Sequence, residues 1–518
     1  MRRFTLLLAL LVPACGGGGG GGGGSAPPTA LANETSPLGT NLTGINYWTA
    51  ELPFKDVFKA AAPWIPQTDP PSTWNTGQAF AGATADGYPL LNPGQAAGTL
   101  LLWGLGTHYP AGRYVCLYDG QGTIRFRSGA TVASEVPGRI EIDVVPNNGI
   151  WLQLTATNPV DPVRNIRVIV PGAEATYLSA PFRPEFLDRW RSFKVLRFMD
   201  WGRTNQTTVA NWADRSTPTY YSQGTTRGVA PEHMIALANE LHADPWFCMP
   251  HLATDDYVRQ FATLVRDTLD PSLRVTLEHS NEVWNGIFPQ AAYAQSQGLA
   301  AGLSANAYEA QLRWHSQRSV QMFRIWDQVF GGASRLVRVL ASQSANPWTG
   351  TTVMDWQNAA AESDALAIAP YFGGYLGAES TQATIATWTV QQVLDACETD
   401  IAAQMGRVAT NRANAESRGI VLIAYEAGQH LVGVNSAQNN QALTDLFIAS
   451  NRDPRMGDLY RTYLDGWRAN GGRMCVNFSS VSAPNRYGSW GLLEYDDRTA
   501  APKYRAVLDF IRNNPRWW

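Results

Sequence analysis

At 518 residues the chain has room for two or three domains, or for one large barrel carrying an insertion. Hydrophobic residues make up 45% and charged residues only 16%, which suits a large core. A net charge of −3 without any basic block argues against nucleic acid as a partner.

The first stretch reads as a targeting segment over residues 1–15. Arg2-Arg3 form a charged start, and Leu6 to Val12 an apolar run too short to span a bilayer. Val12-Pro13-Ala14-Cys15 resembles a bacterial lipobox, with Cys15 as the lipidation site. Pro13 is unusual at such a site, so a plain secretory signal stays open. The glycine run Gly16 to Gly24 opens a linker over residues 16–37 of a composition expected to be disordered. The expectation is an exported protein, either a cell-envelope lipoprotein or secreted, touching a membrane only through an N-terminal lipid anchor. No later segment is long and apolar enough to cross a bilayer.

Gly39 to Trp48 then reads as a first strand, and Asp56 to Trp64 as a short amphipathic helix. Between residues 73 and 172 the texture changes. Short alternating segments recur at Thr99–Trp103, Gly112–Leu117, Thr123–Arg127, Arg139–Val145, Gly149–Thr155 and Asn165–Val170. Pro146-Asn147-Asn148-Gly149 is suited to a tight hairpin. This is an inserted all-β module, sandwich-like, in which Trp103 and Trp151 are candidate flat surfaces for a ligand. A module that merely shapes one wall of a cleft fits equally well.

Downstream, strands and helices alternate. Strands are expected at Lys194–Asp200, Pro245–His251, Arg274–Glu282, Arg335–Leu340, Asp364–Tyr371, Gly419–Glu426 and Arg473–Phe478. Helices are expected at Pro231–Leu241, Asp255–Thr268, Pro289–Gln297, Ala305–Phe330, Val390–Arg407, Gln438–Ala449, Met456–Ala469 and Pro502–Asn513. With the strand near Asn46 this makes eight strands with intervening helices, the count of an α/β (β/α)8 TIM barrel. The barrel takes residues 38–72 and 173–518, with the all-β domain, 73–172, inserted.

Two stretches carry the chemistry. Arg274-Val-Thr-Leu-Glu-His-Ser-Asn-Glu282-Val-Trp284 is an apolar run that stops at a polar cluster. Gly419-Ile-Val-Leu-Ile-Ala-Tyr-Glu426 is a nearly continuous apolar run, the pattern of a strand buried on both faces. Each ends on a carboxylate. Two carboxylates at the C-terminal ends of barrel strands are the equipment for cutting a glycosidic bond: one protonated beside the leaving oxygen, one ionised under the anomeric carbon. His279, Asn281 and Trp284 are neighbours suited to Glu282, and Tyr425 lies beside Glu426. Some of the 19 tryptophans then fit stacking surfaces for sugar rings.

Asn281-Glu282 on the fourth strand, with Glu426 on the seventh, resembles the signature of clan A retaining glycoside hydrolases, the (β/α)8 group of cellulases, mannanases and xylanases. Ser-Asn-Glu-Val-Trp-Asn is similar to exported bacterial members described as cellulase-like or cellulose-binding. The resemblance spans about Asn41 to Trp518 outside the insertion. It implies Glu282 as acid/base, Glu426 as nucleophile and a β-glycan substrate. Asn281 would hold the sugar 2-hydroxyl, Arg197 would orient the nucleophile, and Tyr371 would donate to it. His251 and Trp284 would line the site, and Trp490 would floor the subsite. Many members carry His two residues before the strand-six Tyr; here Ala369 stands there, which leaves the substrate open.

Each residue also has a structural reading: Glu426 a buried ion pair with Arg197, His251 a loop anchor, Tyr371 a turn residue after Pro370, Trp490 a core ring. A non-catalytic carbohydrate-binding lipoprotein on a degenerate barrel is the rival function. His-Glu-x-x-His, Gly-x-Ser-x-Gly and a Gly-rich phosphate loop are all missing, so no metal or cofactor is expected. A monomer is expected. Cys248 and Cys475 sit in apolar runs and read as buried free thiols, with a disulfide between them as the alternative in an exported protein.

Overall fold

Eight short parallel strands close into a barrel: Leu38–Asn41, Val195–Arg197, Asp244–Met249, Val275–His279, Leu336–Ala341, Ala365–Ile368, Val421–Ala424 and Cys475–Asn477, the last pairing with the first. The computed structural model describes residues 31–497 and 501–518. The expected signal segment, Cys15 and the glycine run lie outside them. The strands follow one another around the barrel in chain order, as right-handed crossovers through helices require.

Side chains alternate between two cores. Val195, Trp246, Cys248, Val339, Ala341, Ala365, Ala367, Ile423, Tyr425 and Val476 fill the barrel interior. Their neighbours Leu196, Phe247, Leu340, Leu366, Ile368 and Leu422 face the helical layer. Small residues on strands five and six offset the bulk of Trp246 and Tyr425. Gly39 on strand one leaves no room for a side chain: an added Cβ would stand 2.8 Å from Val195.

Helix starts follow local chemistry. Pro231, Pro289, Pro454 and Pro502 occupy first turns, where a missing N–H costs nothing. Thr254, Asn306, Thr389 and Asn440 cap other helices by accepting backbone N–H bonds. The expected helix over Asp56–Trp64 is only one 3-10 turn, Val57–Ala60. Asp56 Oδ1 accepts from both Phe58 N and Val168 N, which ties this turn to the inserted sheets instead of prolonging it.

The chain between strands one and two forms two four-stranded antiparallel sheets. One runs Ile65–Thr68, Gln95–Leu101, Ile150–Thr157, Gly122–Ser128; the other runs Arg164–Ile169, Gly112–Asp119, Arg139–Val144, Ala130–Val136. Strand pairing thus begins at Ile65, ahead of residue 73. Ile124, Leu152 and Leu154 from the first sheet and Tyr114, Cys116, Ile140 and Ile142 from the second share one core. Pro146–Gly149 is not a hairpin. It joins Arg139–Val144 to Ile150–Thr157, which belong to different sheets, and Tyr109 Oη accepts from the N–H groups of Asn147 and Gly149. The tight two-residue turn lies at Pro137-Gly138, where Val136 pairs with Arg139. Cys116, Cys248, Cys397 and Cys475 are buried free thiols.

Candidate active site

The mouth of the barrel gathers around Arg197, the last residue of strand two and wholly buried. Its guanidinium reaches four side chains. Nη1 donates to Glu426 Oε1 at 2.9 Å and to Asn41 Oδ1 at 3.0 Å. Nη2 donates to Glu278 Oε2 and Asn281 Oδ1, both at 2.8 Å. Such a fork suits arginine, whose planar donors can bind two carboxylates at once. Burial works against its charge, yet the Glu278 and Glu426 carboxylates hold its pKa well above the ordinary value.

Glu426 takes charged and neutral donors: Arg197 on one oxygen and the Tyr371 hydroxyl, at 2.9 Å, on the other. Glu282 takes neutral donors alone. Tyr425 Oη donates to its Oε1 at 3.1 Å, and Asn285 Nδ2 to its Oε2 at 2.9 Å. Trp284 Nε1 in turn donates to the Tyr425 hydroxyl at 3.2 Å. Burial raises Glu426 to about 8; Arg197 opposes this and the charge of Glu282 adds to it. Burial raises Glu282 as well, against its bonds from Asn285 and Tyr425. Burial thus disfavours charge on both acids, and the charge of Glu282 further disfavours it on Glu426. Of the two, Glu426 alone accepts a hydrogen bond from a guanidinium, a contact that favours its charged form, while Glu282 accepts only from neutral donors.

The turn that carries Glu282 is strained. Ser280 and Glu282 both lie in the left-handed region, at φ 60° and 43°, a conformation that persists only when its surroundings hold it. Gln290 Nε2 donates to the Asn281 carbonyl at 2.7 Å, and Gln311 Nε2 to the Val283 carbonyl at 2.6 Å. Both glutamines are buried, on the helices Pro289–Ala300 and Ala307–Phe330. Gln290 also holds Asn205 Oδ1, which accepts from Asn281 Nδ2 at 3.0 Å.

Trp490 packs edge-on to Tyr371, His430 and Phe478, with centroids 5.7, 5.0 and 5.5 Å away. Its ring therefore sits against the tyrosine that holds Glu426. His251 does not join the carboxylate cluster: it packs edge-on to Tyr293 at 5.3 Å, and its Nδ1 is buried without a partner. Nor is His279 a neighbour of Glu282. Alternation turns it outward to the helical layer, where its Nδ1 meets Nδ1 of His315 at 3.0 Å. Trp201, just past strand two, is fully buried and donates to the Thr43 carbonyl at 3.1 Å. Asn41, Glu278 and Asn205 belong to the cluster although no sequence pattern singles them out. Among the described residues, no group of three or more His, Cys, Asp and Glu is placed to hold a metal ion.

The His279–His315 pair gives a pH prediction. One ring must donate and the other accept, so the two are not both protonated. Burial lowers His279 well below its ordinary value and His315 to about 4. A base depressed on folding contributes stability that is complete above the unfolded pKa and is lost as pH falls through the folded one. The stability gap between wild type and His315→Asn should therefore narrow from pH 6.5 to 4, by up to about 3 kcal/mol. Denaturant melts of both proteins at several pH values measure it; a constant gap would refute a neutral buried pair.

No family model matches this chain and no curated protein matches it. Among solved structures, a 4-O-α-L-rhamnosyl-β-D-glucuronidase from Fusarium oxysporum 12S is similar at 12% identity and TM-score 0.41, over 65% of this chain. The match spans 66% of that enzyme, just under two thirds of its length. A GH5 family lichenase from Caldicellulosiruptor sp. F32 is similar at 14% identity and TM-score 0.37, over 65% of this chain and 86% of its own. A β-glucosidase from Thermotoga maritima is similar at 11% identity and TM-score 0.37, over 64% of this chain and 85% of its own. Likeness at identities and scores this low says nothing of substrate or reaction.

Proposed function

We propose that the chain is a retaining glycoside hydrolase acting on β-linked glycans by double displacement. The observation that carries this is the unequal treatment of two carboxyls at the barrel mouth: Glu426 faces a guanidinium and a tyrosine hydroxyl, Glu282 only neutral donors. Environments that separate two acids in this way assign the acid and the base.

Glu426, ionised, attacks the anomeric carbon while Glu282 gives its proton to the departing oxygen. The C–O bond to the leaving sugar breaks as the bond to Glu426 forms. Glu282, now a carboxylate, takes a proton from water, which displaces Glu426 and returns it as a carboxylate. Tyr371 and Tyr425 keep their protons throughout, since burial first, and then the adjacent carboxylates, hold both hydroxyls well above their ordinary range. Asn281 keeps its position through Arg197 and Asn205 and meets the sugar 2-hydroxyl. Trp490 floors the subsite, and Trp284 fixes the Tyr425 hydroxyl.

Hydrolysis of a β-linked oligosaccharide followed by proton NMR tests the reading. The first anomer to accumulate should be β, before mutarotation. An initial α anomer would exclude double displacement, and no release from any β-glycan in a broad panel would exclude the activity.

A further inference from the structure

A second aromatic surface lies where the β insertion meets the barrel. Tyr47, Trp74, Trp103 and Trp151, with Pro63 and Ile65, line an open cavity of about 580 Å³. Trp74 is 41% exposed. No lining residue carries a charge, which selects against an anionic or cationic ligand and for a neutral one.

The backbone departs from regularity where it places two of these rings. Trp151 stands at a β-bulge: the register against Gly122–Ser128 shifts between Trp151 and Leu152, and bulges re-aim side chains. Trp103 follows Leu102, a buried leucine at φ 55°, strain of the kind kept at ligand clamps. The Trp151 Nε1 is buried without a hydrogen-bond partner, so what Trp151 offers the groove is ring surface. A surface kept only to bury the insertion against the barrel would not need an exposed Trp74.

Its position links it to the barrel mouth. Tyr47 lies six residues beyond Asn41, on the loop leaving the end of strand one at which Arg197 and Glu426 gather. The Trp103 N–H donates to the Tyr47 carbonyl at 2.7 Å, fastening the insertion to that loop. The same loop also carries Trp48, 52% exposed and edge-on to Tyr47 at 4.5 Å.

We infer that this groove binds pyranose rings of a neutral polysaccharide chain whose scissile bond lies in the barrel, so that the insertion selects polymeric over short substrates. The inference rests on the proposed glycosidase reading for the role of the barrel and adds a binding site outside it. Flat aromatic faces stack on the C–H faces of such rings.

The test uses the full chain as Glu426→Gln, in native gels containing mixed-linkage β-glucan, glucomannan or xylan. At least one polymer should retard it, and Trp74→Ala or Trp151→Phe added to it should weaken retardation, Trp74→Ala by roughly tenfold in apparent affinity. In the active protein the same changes should raise KM on that polymer while leaving hydrolysis of a short aryl glycoside unchanged. Equal retardation of all variants, no retardation by any polymer, or equal loss on both substrates would overturn the groove as a glycan site. So would a dimer of the wild type that Trp74→Ala dissociates. Retardation that the groove variants abolish, in a protein that hydrolyses nothing, would uphold the groove and sink the glycosidase reading instead.

Discussion

Glu426→Gln should remove turnover almost entirely, by roughly four to six orders of magnitude in kcat, while the protein stays folded. The amide keeps the shape and one of the two oxygens that accept from Arg197 and Tyr371, but it cannot attack the anomeric carbon. Glu282→Gln should behave differently. It removes proton transfer, worth roughly two to four orders of magnitude, and the loss should depend on the leaving group. A glycoside of an acidic phenol departs without protonation, so its first step should survive in Glu282→Gln and fail in Glu426→Gln. Alanine variants extend the contrast. Azide entering the space left by Glu282→Ala should attack the glycosyl-enzyme and give a β-glycosyl azide. Azide entering at Glu426→Ala should attack the substrate directly and give the α product. The opposite pairing of variant and anomer would reverse the two roles, and unaltered turnover in either variant would end the mechanism.

The barrel is legible in the sequence because its strands are buried on both faces and read as short apolar runs. Helices at Pro231–Leu241, Asp255–Thr268 and Pro502–Asn513 lie where their prolines, caps and periodicity place them. Strand ends are less legible. Gly39 to Trp48 reads as one extended run, but pairing stops at Asn41 because the chain leaves the barrel there to form the rim. Glu282 and Glu426 stand out as carboxylates closing apolar runs, whereas Arg197 and Tyr371 are singled out only by the family resemblance; the structure sets both against Glu426. Glu278 does not stand out, since inside Val275–His279 it looks like one more strand position and only the barrel's closure sets it against Arg197. Gln290 and Gln311 look like helix-surface residues; that they hold backbone carbonyls of the strained turn depends on how two helices meet that turn. His279 looks like a partner of Glu282 only until strand alternation is applied, which points it to the opposite face.

Arg197→Leu should cost stability and activity by separable routes. Glu278 is wholly buried, its Oε2 held by Arg197, by Trp246 Nε1 at 2.9 Å and by the Cys248 thiol, while its Oε1 has no hydrogen-bond partner. Removing the guanidinium leaves this carboxylate and Glu426 without their cation. Breaking one side of a buried pair costs about 3–5 kcal/mol, more than the pair itself contributes, because the abandoned charge stays desolvated. A second change, Glu278→Gln, removes one of the stranded charges, so the double variant should regain stability over Arg197→Leu in denaturant unfolding. It should not regain activity. Arg197 opposes the effect of burial on Glu426, so its loss raises that carboxyl further and protonates it over more of the neutral range. The acid limb of kcat/KM should move to higher pH in both the single and the double variant. Recovery of rate along with stability in the double variant would mean that Arg197 only supports the fold; recovery of stability alone, with the limb still displaced, assigns it to keeping Glu426 ionised.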